Sequence, residues 1–515
     1  MGINVGGTEV DTYVGGELRK ETNWWGAFVV GLAGTILVTG VVGPVLAGMG
    51  SAALPNFFII TVTGWLLCMF VAELAAMMPE RTGGAPAYAY FAFKDRLPKI
   101  YPHINGVTNW MYWLGWAPVL AVNNLLIGSY IQSLFNISGG PQISLLGLPP
   151  VSLLTFALGT LIGIALFIPA YLGIRFGTGL ATVLGVLTVV TLTLIAVLPF
   201  FHPSSLNSGF VWPFTTPDGQ GLFSGHGIAL SIQYWALLTW NVIAMEAAAC
   251  YIGETKNPSR DAPIAMNLEG GFGVFIYTLI PFSMLAVLGL KQIQSDPLAL
   301  FSTFVGHIFN IPGLNQIMSA ALIIALALSS LNAIMGCARS VYQMSLDGQA
   351  PRLFAHVNKH QVPDVSMGFN VVLNIAIMLF GAPAVIYVFS NVGYVGSFVP
   401  VLIGYYFLRR WRPDLHRPYR LPEFMKYVAL GVAALYAFIW AVGLPWCAIT
   451  GCATGGTGNN LIAYFVGIAV VLAYLPLYWW RKAQDRRLGV AATSTSTIAA
   501  DAVQVGVGSD RDASR

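Results

Sequence analysis

The chain has 515 residues, of which 9% are charged and 56% apolar, with a net charge of +4. A soluble domain carries about 25% charged residues. This composition cannot cover a globular surface with polar groups, so most of the surface must meet lipid and a water-soluble fold is excluded. The small positive balance is a signal of membrane orientation and implies no nucleic-acid partner.

A membrane-spanning helix needs about 20 largely apolar residues. Twelve stretches qualify, at 24–49, 55–78, 107–135, 151–171, 176–201, 226–252, 270–290, 316–337, 367–381, 383–408, 425–448 and 461–480. Only Gly381-Ala382-Pro383 separates the ninth from the tenth, and the alternative is eleven spans with one re-entrant segment. Twelve spans place Arg81, Lys94, Arg96, Lys99, Arg175, Lys256, Arg260, Arg339, Arg352, Lys359 and the basic run from Arg409 to Lys426 in inner loops, and Lys291 alone outside. Both termini are therefore expected in the cytoplasm, with the chain multi-pass in the cell membrane. Residues 1–22 read as a polar cytoplasmic tail with no cleavable signal, 23–482 as the membrane domain, and 483–515 as a disordered cytoplasmic tail.

In chain order, span 1 holds Gly40, Gly43 and Pro44 at its centre. Proline removes a backbone hydrogen bond and clashes with the preceding turn, and two readings stay open: a proline kink, or a broken helix whose freed groups line a cavity. Span 3 carries Trp110, Trp113 and Trp116, then the adjacent amides Asn123 and Asn124, which need partners in an apolar helix. Span 6 carries Glu246; an ionised carboxylate at mid-bilayer costs roughly 2.5–3.5 kcal/mol on insertion scales, so it should face a cavity. Span 8 carries the hydroxyl pair Ser329 and Ser330, and span 10 the polar patch Tyr387, Ser390, Asn391 and Tyr394. Cys68, Cys250 and Cys337 read as small packing residues. Cys447 and Cys452 fall in the last outer loop, where a bridge and two free thiols are equally compatible with the sequence. The histidines are scattered, and no metal set, activated nucleophile or phosphate loop points to an enzyme.

Three phrases carry a family resemblance. The exit of span 2 reads AELAAMMPERTGGAPAYAYFAF (Ala72 to Phe93), and the exit of span 6 reads E-T-K-N-P-S-R (Glu254 to Arg260). The exit of span 8 sets Arg339, Asp347, Gly348 and Pro351 in fixed spacing. Together they resemble the amino acid–polyamine–organocation (APC) superfamily of permeases over about residues 24–480. The resemblance implies an all-α LeuT-type fold: a 5+5 inverted repeat with discontinuous spans 1 and 6, plus two C-terminal helices.

It also implies a site. A substrate carboxylate would meet amides at the first break, here Thr39, Gly40, Val41, Val42 and Gly43. The ammonium would meet carbonyls at the sixth-span break, here Trp240, Asn241, Val242 and Ile243. Two departures stand out: the usual G-x-G of span 1 reads G-V-V-G-P, and the glycine before the sixth-span acid is Ala244. Asn123, or Asn124 beside it, would stand in the wall around the substrate side chain. Trp240 and Trp235 would cap or gate the ligand, or simply pack. Glu246 would either carry a proton or serve as a structural hub, the latter preferred because one carboxylate makes no relay. Ser329 and Ser330 are candidate sodium ligands, with packing as the alternative. Span 5 lacks the lysine of some proton-coupled relatives and has Thr191 there, which weakens a lysine mechanism.

The function implied is secondary active transport, as symporter or exchanger, of an amino acid or related amine by alternating access. No cofactor is expected, and the coupling ion is either H+ or Na+. The partners are a small-molecule substrate and the bilayer. Glu246 is expected to be the one clearly intramembrane carboxylate, which favours a neutral amino acid over a dication. The rival readings are a permease-fold sensor that binds without flux and a major-facilitator transporter, although no G-x-x-x-D-R-x-G-R-like loop follows span 2.

Overall fold

The chain is described here by a computed structural model covering residues 20–489, apart from 80, 82, 95, 146–147, 296, 298–299, 310 and 453–459. The fold is mostly helical. Among the described residues ten helical runs are long and apolar enough to cross a membrane, and a shorter apolar helix lies at Asp364–Phe380. The longest run, Trp24–Met77, contains α1 (Trp24–Gly31), α2 (Ala33–Ile36), α3 (Val38–Met49) and α4 (Ala53–Met77). It breaks at Gly50, whose φ of 61° a side chain would strain. A Cβ at Gly50 would also stand 2.7 Å from the carbonyl of Thr215.

Next come α5 (Pro86–Phe93), α6 (Tyr101–Trp116), α7 (Val119–Phe135), α8 (Leu153–Tyr171), α9 (Ile174–Phe201) and α10 (Gly225–Ile243). A two-stranded hairpin, β1 (Gln142–Ile143) with β2 (Val151–Ser152), lies between α7 and α8. After α10 the backbone tightens into a 3-10 helix, Ala244–Glu254. The remaining helices are α11 (Pro258–Ser295), α12 (Leu300–Ile308), α13 (Leu314–Leu346), α14 (Asp364–Ile377), α15 (Pro383–Trp411), α16 (Met425–Phe438), α17 (Leu444–Thr450), α18 (Leu461–Leu472) and α19 (Tyr474–Arg487).

Local chemistry sets many of these ends. Asn23 caps α1 through the Gly26 amide at 3.0 Å, and Ser224 caps α10 through the Gly227 amide at 3.0 Å. Met78, before Pro79, leaves the helical region (φ −126°, ψ 63°) and ends α4. Gly381 at φ 75° and Pro383 in the first turn separate Asp364–Phe380 from α15, as the sequence suggested. Three differences follow from helices outrunning their apolar cores. Helix α11 starts at Pro258 rather than 270. Helix α13 runs to Leu346, so Arg339 is an interior residue and not a loop cation. Helix α19 continues to Arg487, into the expected tail. The bulk of both expected tails, 1–19 and 490–515, lies outside the described residues.

The core is a continuous set of buried apolar residues from α1–α4, α6, α7, α10, the 3-10 helix, α11, α13 and α15. By contrast α8, α9, α18 and α19 expose large apolar residues such as Leu161, Val183, Phe465 and Leu472. Exposed apolar rows of this kind suit contact with acyl chains.

The ends of the helices and the segments that join them are tied by polar contacts. On one side Ser51 donates to the Pro213 carbonyl at 2.8 Å and accepts from the Thr215 amide at 2.9 Å. On the other, Glu73 accepts from Arg409 at 2.5 Å, Tyr405 at 3.0 Å and the Leu421 amide at 2.9 Å. Asp347 there holds Arg81 at 2.6 Å and Asn105 at 3.0 Å. Thr22 pairs with Thr255 in a short parallel bridge: its amide donates to Glu254 O at 3.2 Å, and its carbonyl accepts from the Lys256 amide at 3.0 Å. Cys447 and Cys452 form a disulfide, while Cys68, Cys250 and Cys337 are buried thiols with no disulfide among the described residues.

Candidate substrate site between two interrupted helices

The first run is interrupted earlier than Gly40-Val41-Val42-Gly43-Pro44. The breaks fall at Leu32 and Leu37, where ψ is −6° and −11° against about −42° in a regular α-helix. Thr39 to Gly43 and Pro44 lie within continuous α3. The physical reason is packing: Gly34 lies directly against the Ala244 and Met245 backbone, where a Cβ would collide. Gly64 packs on the same turn, with a Cβ there standing 2.7 Å from Val242 O. Tyr277 of α11 donates to the Gly34 carbonyl at 2.7 Å, a partner the interrupted turn can use. The short segment α2 therefore sits backbone to backbone on the start of the 3-10 helix.

The second interruption falls where the sequence placed it. Trp240, Asn241, Val242 and Ile243 form the last turn of α10, and Ala244 opens the 3-10 helix. That helix spans 11 residues, well beyond the usual three or four, and long 3-10 stretches often mark hinges. Glu246 is fully buried within it. Its Oε1 accepts from the Tyr112 hydroxyl at 2.5 Å, and the same hydroxyl lies 3.3 Å from Cys250 Sγ. This arrangement suits a carboxylate that holds an unwound segment against α6.

Around the two breaks, buried polar atoms lack partners among the described residues: Trp240 Nε1, Asn241 Oδ1, Tyr387 Oη, Asn391 Oδ1, Ser329 Oγ and both ends of the Asn123 amide. Orphaned buried polar atoms are uncommon in proteins. Several of them are demonstrably neighbours. The Trp240 and Tyr387 rings lie 4.6 Å apart, and the Tyr387 hydroxyl abuts Gly40. Leu126 Cδ1 comes within 3.8 Å of a Cβ built on Gly40, and Asn123 is one turn from Leu126 on the same helix face. Tyr394 closes the cluster, 6.3 Å from Trp240 and hydrogen-bonded to Trp116 Nε1.

Other candidates stand elsewhere. Trp235 donates to Asn56 Oδ1 at 2.6 Å, a structural contact one turn and more from Trp240. Ser330 donates to Asn124 Oδ1 at 3.1 Å, so of the hydroxyl pair Ser329 alone has its oxygen uncommitted. Thr191, standing where some relatives have lysine, bonds its own helix through Leu187 O at 2.8 Å. Glu246 is not the sole buried carboxylate of this region: Glu269 in α11 is fully buried as well. It stands one residue ahead of the apolar stretch 270–290, on the helical start that Pro258 after Asn257 signals. Gly31 and Gly34, three apart, were a legible signal for close helix contact that Gly40 and Gly43 obscured.

A model of the amino acid permease family matches residues 23–478. Relatives with this similarity include the proline-specific permease of Emericella nidulans, 28% identical over 74% of this chain and 69% of that protein. The branched-chain amino acid permease BcaP of Bacillus subtilis is 24% identical over 89% of this chain and 93% of its own. An uncharacterized amino acid permease, YvbW, of the same bacterium is 22% identical over 75% and 84%.

Proposed function

Because the chain belongs to the amino acid permease family of the APC superfamily, we propose that it is a secondary transporter that carries a neutral amino acid across the cell membrane by alternating access. The observation that supports this reading most is the junction of α2 with the 3-10 helix at Gly34 and Ala244, beside buried polar atoms without partners among the described residues. A zwitterion presents one carboxylate and one ammonium, and helix interruptions offer amides for the first and carbonyls for the second. Proline and branched-chain amino acids, named for two relatives, are the first substrates to test.

In this reading, dividing Trp24–Met77 at Gly50 and adding Asp364–Phe380 gives twelve spans, with both termini in the cytoplasm. The two interrupted helices would open the spans 1 and 6 of an inverted repeat. Thr39 to Gly43, placed on continuous α3, would face the ligand through Gly40 and its neighbour Tyr387. Trp240 lies against that neighbour, the two rings tilted by 44°, and would cap the substrate, with Asn123 and Asn241 supplying polar groups from the wall. Trp235, tied to Asn56, would hold the frame.

The test is uptake of a neutral amino acid panel into proteoliposomes, under imposed proton or sodium gradients and against preloaded substrate. Uptake of at least one neutral amino acid is expected. Trp240→Ala should weaken its apparent affinity about tenfold or more, the loss of roughly 1.4 kcal/mol of ring contact. Saturable binding with no flux under any condition would replace the transporter with a sensor.

A further inference from the structure

Glu269 has no part in the reading above. It lies 11 residues into the 38-residue α11, about 16 Å from the start of that helix at 1.5 Å per residue and one residue ahead of the apolar stretch 270–290. Its side chain is fully buried. The carboxyl group occupies the space where Gly31 would carry a Cβ, and that same position is 3.0 Å from the Ala248 amide nitrogen. Glu269 is thus wedged between the end of α1 and the middle of the 3-10 helix, one contact on each interrupted element. The Ala248 amide is the donor turned toward it, yet neither carboxyl oxygen completes a hydrogen bond of normal geometry.

We propose that Glu269 is the coupling carboxyl of this transporter, binding a proton while α1 and the 3-10 helix are closed upon it and releasing it when they part. The proposal rests on the transport reading above. An ionised carboxylate enclosed without a cation or a full set of donors is strongly disfavoured. The charged group acting on Glu269 is Glu246, of like sign. The other titratable groups that face it are Cys68 from α4, Cys250 from the 3-10 helix and Tyr394 from α15, none of them a cation. One proton taken from the outer compartment onto the Glu269 oxygen removes the repulsion and lets the wedge close. Separation of the two elements admits water, and the proton leaves from that oxygen to the compartment then open. Glu246, already fixed by Tyr112, keeps the shape of the 3-10 helix through the cycle. A protonated Glu269 also adds no fixed anion to the region, which fits a neutral substrate.

The test compares wild type with Glu269→Gln in proteoliposomes, reading both proton-driven accumulation and exchange of external label for preloaded substrate. The amide copies the neutral acid in size and shape. Wild type should accumulate substrate against its gradient when the lumen is alkaline. Glu269→Gln should lose accumulation and the pH dependence of uptake while retaining exchange, and Glu269→Asp should keep a shifted pH profile. Unchanged proton-driven accumulation in Glu269→Gln would overturn the proposal, with transport itself intact. Loss of exchange together with accumulation would assign Glu269 a structural role, and accumulation driven by sodium alone in wild type would move coupling elsewhere; either result overturns it. Absence of any flux in wild type overturns this proposal and the transport reading together.

Discussion

Glu254 and Arg339 illustrate what single residues contribute. The sequence marked each within a motif but not as partners, because 85 positions separate them. Both side chains are fully buried; the guanidinium bonds both carboxylate oxygens, stacks 5.0 Å from the Tyr251 ring centroid and reaches Met335 O. Removing one partner of such a pair leaves an unpaired buried charge, typically costing about 3–5 kcal/mol. Glu254→Gln or Arg339→Met alone should therefore lower the thermal unfolding temperature in detergent sharply. The double substitution should recover most of that loss, since it buries no lone charge. Additive losses in the double variant would show that the two residues do not act as a pair. Trp240 and Glu246 were legible as single residues because polar or aromatic groups stand out in an apolar run. Tyr112, Tyr277 and Glu269 were not, since their importance lies in what reaches them from distant positions.

At the level of elements, period and composition located the helices well and their ends poorly. Apolar windows mark the lipid-exposed middle of a helix, whereas α11 and α13 extend through polar turns that neighbouring chain buries, as at Asp261 and Arg339. The position of the first interruption was misplaced for a related reason. Proline inside a helix is a conspicuous local signal, yet Pro44 is accommodated in α3. The break instead follows a tertiary demand, the approach of Gly34 to the Ala244 turn. Gly34→Ala should accordingly abolish uptake while the protein still reaches the membrane. Val41→Ala, on continuous helix, should reduce uptake far less than Gly34→Ala, because it removes two buried methyl groups without forcing two backbones apart. Normal uptake by Gly34→Ala would show that this backbone contact is dispensable.

For the whole molecule, the distribution of basic residues predicts an orientation with both termini in the cytoplasm. Lys291 and Lys359 are both exposed, and the thiols of Cys68, Cys250 and Cys337 are buried, so background labelling should be low. Lys291→Cys should react with a membrane-impermeant maleimide on intact cells, and Lys359→Cys only after permeabilisation. Equal labelling of both on intact cells would refute the twelve-span arrangement. The family and its helical architecture were legible because three loop phrases, together with the apolar spans, recur at fixed spacing. Which polar atoms end up facing one another is a property of packing between spans, and no single stretch of sequence carries it.

The Thr22–Thr255 bridge joins two distant stretches of backbone through two hydrogen bonds. It fastens the lead-in to α1 onto the chain leaving the 3-10 helix, so the two interrupted elements share one tether at their ends. In the transport reading that tether moves with both elements, whereas α19 stands apart from them with Trp479 and Trp480 exposed. A bulky group fused close ahead of Thr22 is expected to disturb that tether, as a weight on a door loads its hinge. Affinity tags and fluorescent reporters belong at the other end of the chain.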